Sequence, residues 1–154
     1  MKDKRLELIE ALLSARRKVL QAAQTLSPQQ RDEVFLGLWS ARDLLAHLAG
    51  WDVTNRQAVQ EILAGQRPSF WQYQDRDWQS YNARLVAQYR RDDWAELLAL
   101  VDEQHRALID FLQTVPAEEY LHYPAIGRLL RTEASDEEQH ARQLDEFRTG
   151  AHRD

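Results

Sequence analysis

Residues 38–52, Leu38-Trp-Ser-Ala-Arg-Asp-Leu-Leu-Ala-His-Leu-Ala-Gly-Trp-Asp52, decide the reading of the fold. Ser40 stands where a helix N-cap is wanted, and Asp43 three residues on completes a short form of the capping box. Leu44, Leu48, Trp51, Ala58 or Val59 and Ile62 then recur at helical spacing. Gly65 is a natural stop, with Pro68 just beyond it.

Upstream, residues 4–25 carry Leu6, Ile9, Leu12 or Leu13, Arg16, Val19 or Leu20 and Ala23 at the same period. The basic run Arg16-Arg17-Lys18 reads as a solvated helix face beside acidic neighbours. Ser27-Pro28 suits an N-cap followed by proline at the first helical position, which predicts a short helical turn. Downstream, residues 68–77 form an aromatic loop, and a helical piece follows over about 78–88. Asp92 or Asp93 can cap a third long helix with the stripe Trp94, Leu97 or Leu98, Val101, His105, Leu108 and Leu112, which Pro116 ends. A last helix covers about 125–148.

Four helices of about 20 residues pack most simply as a bundle. The expectation is an all-α, antiparallel four-helix bundle, one domain over residues 1–154. Its connection between the second and third long helices is long and carries a short helix. Long ordered connections are often functional, so that one points toward a site.

Composition narrows the function. With 25 acidic and 20 basic residues the net charge is −5, which argues against nucleic acid as partner, because phosphate binding needs a concentrated basic surface. There is no cysteine, so disulfides, Cys-ligated zinc and thiolate catalysis by the protein itself are excluded. No apolar run approaches a membrane span, and the N-terminus runs into an amphipathic pattern without a signal core. A cytoplasmic location is the expectation.

Candidate chemistry lies where polar residues interrupt apolar stripes. His47 falls within about 60° of Leu44 and Trp51 around the second helix. Alone it would be a core-edge histidine. On the last helix the stripe Ile126, Leu130, Glu133, Glu137, His140, Leu144, Phe147 places two carboxylates and an imidazole on an apolar face. Buried without partners, such groups would cost several kcal/mol each. Asp136 lies four residues before His140 and Glu137 three before it, and both spacings let two side chains reach one ion. With His47 from another helix they suit a three-ligand site for Zn²⁺, Ni²⁺ or Fe²⁺. A hydrated polar layer is the competing reading. Glu133 or Glu137 could act as base or as an orienting group.

His105 reads as a packing or lining residue, and His122 and His152 carry no assigned role. The five tryptophans are mostly core filler. Trp71, Phe70 and Tyr73 sit in the long loop instead, where they line a pocket mouth or close one end of the bundle. Phosphate loops, nucleophile elbows and His-Glu-x-x-His are absent.

The segment from Trp39-Ser40 through His47 to Trp51-Asp52 resembles the start of the second helix in DinB-like proteins. Trp71, the Trp78-x-x-Tyr81-Asn82 segment and Gly127-Arg128 resemble the DfsB/ClbS branch of that superfamily. The resemblance implies a four-helix bundle, often dimeric, with a site between the helices. It further implies a divalent metal held through the positions of His47, Asp136 and His140. Asp136 has a shorter reach than the residues relatives use there, so Glu133 or Glu137 could replace it. ClbS-type relatives lack the histidine set and act without metal, and there the site would be lined by Trp71, Tyr73 and Tyr81.

Three functions follow as expectations. The first is a metal-dependent thiol transferase or hydrolase acting on a small electrophilic metabolite or toxin, any low-molecular-weight thiol coming from outside. The second is a metal-free hydrolase or sequestering protein for self-protection. The third is a non-catalytic stress or interaction protein. A homodimer is implied by the resemblance alone.

Overall fold

The computed structural model describes residues 3–73 and 77–150. The chain is all-α, with seven α-helices and no strand among the described residues. They are α1 (Lys4–Gln24), α2 (Pro28–Asp32), α3 (Ala41–Leu63), α4 (Trp78–Tyr89), α5 (Trp94–Thr114), α6 (Ala117–His122) and α7 (Pro124–Thr149), with a 3-10 turn at Ser69–Tyr73. His152 lies outside the described residues. No helix among them is long and apolar enough to cross a membrane.

The helix ends follow the expected local chemistry. The Ser40 hydroxyl accepts from Asp43 N–H and the Asp43 carboxylate accepts from Ser40 N–H, closing the capping box of α3. Ser27 and Gln30 close a second box on α2. Asp93 caps α5 through Glu96 N–H. Gly65, at φ 76°, turns the chain after α3 where a side chain would be strained.

The apolar residues divide into two clusters, and membership gives the direction of each long helix. One cluster takes Val19 and Ala23 from α1, Leu44 and Leu48 from α3, Trp94 and Leu97 from α5, and Leu144 and Phe147 from α7. The other takes Leu8 and Leu12, Val59 and Ile62, Leu108 and Leu112, and Ile126 and Leu130 from the same four helices. Hence α3 and α5 run in one direction, and α1 and α7 in the other. The antiparallel relation holds between α1 and α3 and between α5 and α7. The pairs α1–α7 and α3–α5, which pack closely, are parallel.

A parallel neighbour requires the chain to travel back the length of the bundle. The 3-10 turn and α4 make that return, laid along α3. They are held close: a Cβ on Gly50 would come within 2.8 Å of Leu85 Cβ. The return path therefore lies over the half of α3 that carries His47 and Trp51.

Candidate functional site

Between the two apolar clusters lies a polar layer, one residue from each long helix. Arg16 follows Leu12 and precedes Val19; Asp52, His105 and Glu137 occupy the matching places on α3, α5 and α7. This corrects the reading of Arg16 as solvated: it is 2% exposed. Arg17 and Lys18 remain on the surface, where Lys18 pairs with Glu138.

The Arg16 guanidinium donates to both Asp52 oxygens at 2.9 Å, to the Val101 carbonyl at 3.3 Å and to the Glu137 carboxylate. His105 Nδ1 lies 3.7 Å from Asp52 Oδ1. Burial alone would raise the Asp52 carboxyl, but Arg16 and His105 outweigh it and hold the group below the usual carboxylate range. Burial likewise opposes the charge on Arg16, and the two carboxylates more than restore it. Glu137, expected as a catalytic group or ligand, is fully buried and committed to Arg16. It is absent from the described walls of the cavity that the layer borders.

That cavity, about 750 Å³, opens between α3, α7 and the return path. Its aromatic walls are Trp39, Trp51, Phe70, Trp71 and Trp78, and its polar lining includes His47, Asn55, Glu133, Asp136 and His140. Trp51 is fixed by its indole N–H donating to Asn82 at 2.9 Å and by edge contacts with Phe70 and Tyr81. The fold thus brings His47 and Asp136 together with His140, Glu133 and Trp71. Tyr73 and Tyr81 stand elsewhere. They border a separate 180 Å³ recess with Thr54 and Glu61, where Tyr81 bonds Thr54 at 2.7 Å and Tyr73 accepts from Arg84.

His47 and His140 meet edge to face with ring centroids 6.0 Å apart. His47 is also packed on Trp39, at 4.7 Å, and its buried Nδ1 has no hydrogen-bond partner. Burial, and then the neighbouring His140, lower its pKa to about 3, so the ring is neutral at pH 7 and keeps a lone pair. His140 Nδ1 lies 2.9 Å from Gln143 Oε1; an N–H donating there leaves Nε2 as the lone-pair nitrogen. Asp136 is exposed on the α7 wall. Among the described residues no three ligating side chains are gathered around one point.

Glu133 occupies the wall between the histidines and the polar layer. Burial, with the negative Glu137 and Asp52 beside it, pushes its carboxyl up to about 8, so it holds a proton at pH 7. Asn55 stands next to it, fully buried, with both amide atoms outside hydrogen-bonding geometry. Sequence reasoning missed Asn55 and the central role of Arg16. Arg16 did carry a signal, being a charged residue in step with the apolar stripe of α1.

Fold and site define a helical-bundle protein with an aromatic-walled cavity holding two histidines and a protonated carboxyl. The DinB superfamily model matches residues 11–144, and the chain belongs to that superfamily. No curated protein and no solved structure shows significant similarity to it.

Proposed function

We propose that the chain is a divalent-metal-dependent enzyme, of thiol-transferase or hydrolase type, acting on a small electrophilic molecule in this cavity. The observation that carries the reading is the His47–His140 pair, two imidazoles that meet across the cavity from α3 and α7, with a buried, unpartnered Nδ1 on His47. The pair is near what a metal needs: an ion about 2.1 Å from one nitrogen of each ring in tetrahedral geometry leaves the centroids about 5.3 Å apart, and from 6.0 Å the rings would have to close by less than about 1 Å. Asp136, on the α7 wall beside His140, would supply the third ligand by turning inward.

A cation such as Zn²⁺, Ni²⁺ or Fe²⁺ supplies Lewis acidity that makes a water or an external thiol nucleophilic near neutral pH. The chain's own groups do the rest. His140 is oriented by Gln143, and the tryptophan walls exclude water around an apolar substrate.

Metal content measured by plasma mass spectrometry, after reconstitution of tag-free protein, tests this. Wild type should take up close to one ion per chain, and the His47→Ala, His140→Ala double variant should take up none while keeping its helical circular dichroism. Equal uptake by the double variant, or none by wild type, overturns the reading. A metal-free hydrolase or sequestering protein, as in the DfsB/ClbS branch, is the second reading. Glu133 as an acid and Trp71 in the cavity wall favour it. It predicts ligand turnover or binding that survives chelation and is lost in Trp71→Ala; loss on chelation sinks it.

A further inference from the structure

The inner end of the cavity is polar in a way that metal ligation does not use. Asn55 is completely buried there, with neither Nδ2 nor Oδ1 in good hydrogen-bonding geometry and the Glu133 carboxyl as its side-chain partner, and a buried amide so poorly satisfied costs free energy unless something binds it. Beside it is the Glu133 carboxyl. Behind both is the polar layer, where one guanidinium, Arg16, faces two carboxylates, Asp52 and Glu137. Trp51 supplies an aromatic wall to the same cavity, and the exposed Arg67 and Arg128 border it as well.

We propose that the inner end, between Asn55 and Glu133, is a subsite for a primary ammonium group of the substrate. The Asn55 carbonyl and the Glu133 carboxylate accept from the ammonium, and the Asn55 amide N–H is left to donate to Glu133, so every buried atom gains a partner. The surplus carboxylate of the layer favours positive charge at that end, and the Trp51 face adds to it. A carboxylate at the same place would find no cationic side chain there, with the two carboxylates of the layer behind it. The substrate class is therefore a small aminated electrophile with an apolar body for the tryptophan walls. This deepens the proposed use of the cavity and rests on that cavity being the functional site, but needs no metal.

The charged and titratable groups around Glu133 are Arg16 of α1, Asp52 and His47 of α3, His105 of α5, and Glu137, Asp136 and His140 of α7. An ammonium replaces the proton that Glu133 holds in the empty cavity. Affinity for the cation should then rise by about tenfold per pH unit up to about pH 8 and level above it.

Three matched probes test the assignment by NMR titration: phenethylammonium, the neutral phenethyl alcohol and the anionic hydrocinnamate. The protein is chelated wild type, and in parallel the His47→Ala, His140→Ala variant. Phenethylammonium should bind about tenfold or more tightly than either other probe, with the pH slope above. Glu133→Gln should remove both the preference and the slope while phenethyl alcohol binding stays, and Asn55→Leu should weaken only the cation. Equal binding of alcohol and ammonium, no ammonium binding, or an unchanged preference in Glu133→Gln overturns the proposal. Metal uptake is measured on the same samples. Loss of ammonium preference with metal uptake intact counts against the subsite alone, and the reverse counts against the metal reading alone.

Discussion

Two sets of polar groups interrupt the apolar stripes of this bundle, within one helical turn or so of each other, and they are treated in opposite ways. In the layer of Arg16, Asp52 and Glu137, charges are fully buried and bonded on every side. In the cavity next to it, Asn55 is fully buried and His47 half-buried, and the Asn55 amide and the His47 Nδ1 lie outside good hydrogen-bonding geometry. A folded chain satisfies its buried polar groups unless something else is meant to satisfy them. The Arg16, Asp52 and Glu137 set therefore belongs to the architecture, joining α1, α3 and α7 between two apolar clusters; of the unbonded atoms, those of His105 lie within that layer, while those of His47 and Asn55 belong to residues that line the cavity. Each reading can be broken at a single residue.

The largest effect should come from Arg16→Leu. It leaves Asp52 and Glu137 facing each other without a counter-charge, and breaking a buried pair in this way costs about 3 to 5 kcal/mol. Thermal melting at pH 7 checks it; a loss below about 1 kcal/mol would mean that the layer is not what holds the helices. The wild-type layer also sets an acid limit. The Asp52 pKa is depressed in the folded state, so its contribution is present above the unfolded carboxylate value near 3.8 and is lost as pH falls through the folded one.

Glu133 sits on the boundary between the two sets and should respond in the other direction. Its folded pKa, about 8, lies above the value of 4.5 for an ordinary glutamate, so the folded state holds a proton that the unfolded chain releases. Stability then falls as pH rises from 4.5 to 8. Glu133→Gln removes that penalty. It should equal wild type below pH 4.5 and exceed it increasingly up to pH 8, by on the order of 2 kcal/mol at pH 7. A flat difference across that range would place the Glu133 carboxylate among the bonded set.

What the sequence disclosed follows the same division. The caps of α3, α2 and α5 rest on residues three apart, so Ser40 and Ser27 could be read directly and the α5 cap narrowed to Asp92 or Asp93. His47 and His140 could be found because each breaks a local stripe. The direction of α5 could not, because Leu97 packs with Leu44 and Leu108 with Ile62 only after the return path has crossed the bundle. Nor could the partner of Glu137, which is 121 residues away in α1. Helical spacing placed Glu137 on the inner face correctly but could not say whether that face met Arg16 or the cavity. Tyr73 and Tyr81 share a loop or its neighbour with Trp71, which groups them in the sequence, yet Tyr81 turns to Thr54 and borders a different recess.

The smallest effect at pH 7, and the sharpest contrast with Arg16, should come from His47→Leu. The histidine is half-buried against Trp39 with a buried, unbonded Nδ1, so an apolar side chain of similar size keeps the packing and removes an unsatisfied atom. Stability at pH 7 should stay within about 1 kcal/mol of wild type. Below that the two proteins should separate. The folded pKa of His47, about 3, lies below the ordinary 6.5, so the unfolded chain binds the extra proton and wild-type stability falls as pH drops from 6.5 toward 3. His47→Leu lacks that slope and should melt higher than wild type at pH 5, even as it loses the nitrogen proposed for the metal. A variant that unfolds like Arg16→Leu would show instead that His47 has a structural partner, and the line drawn here between architecture and function would have to move to include it.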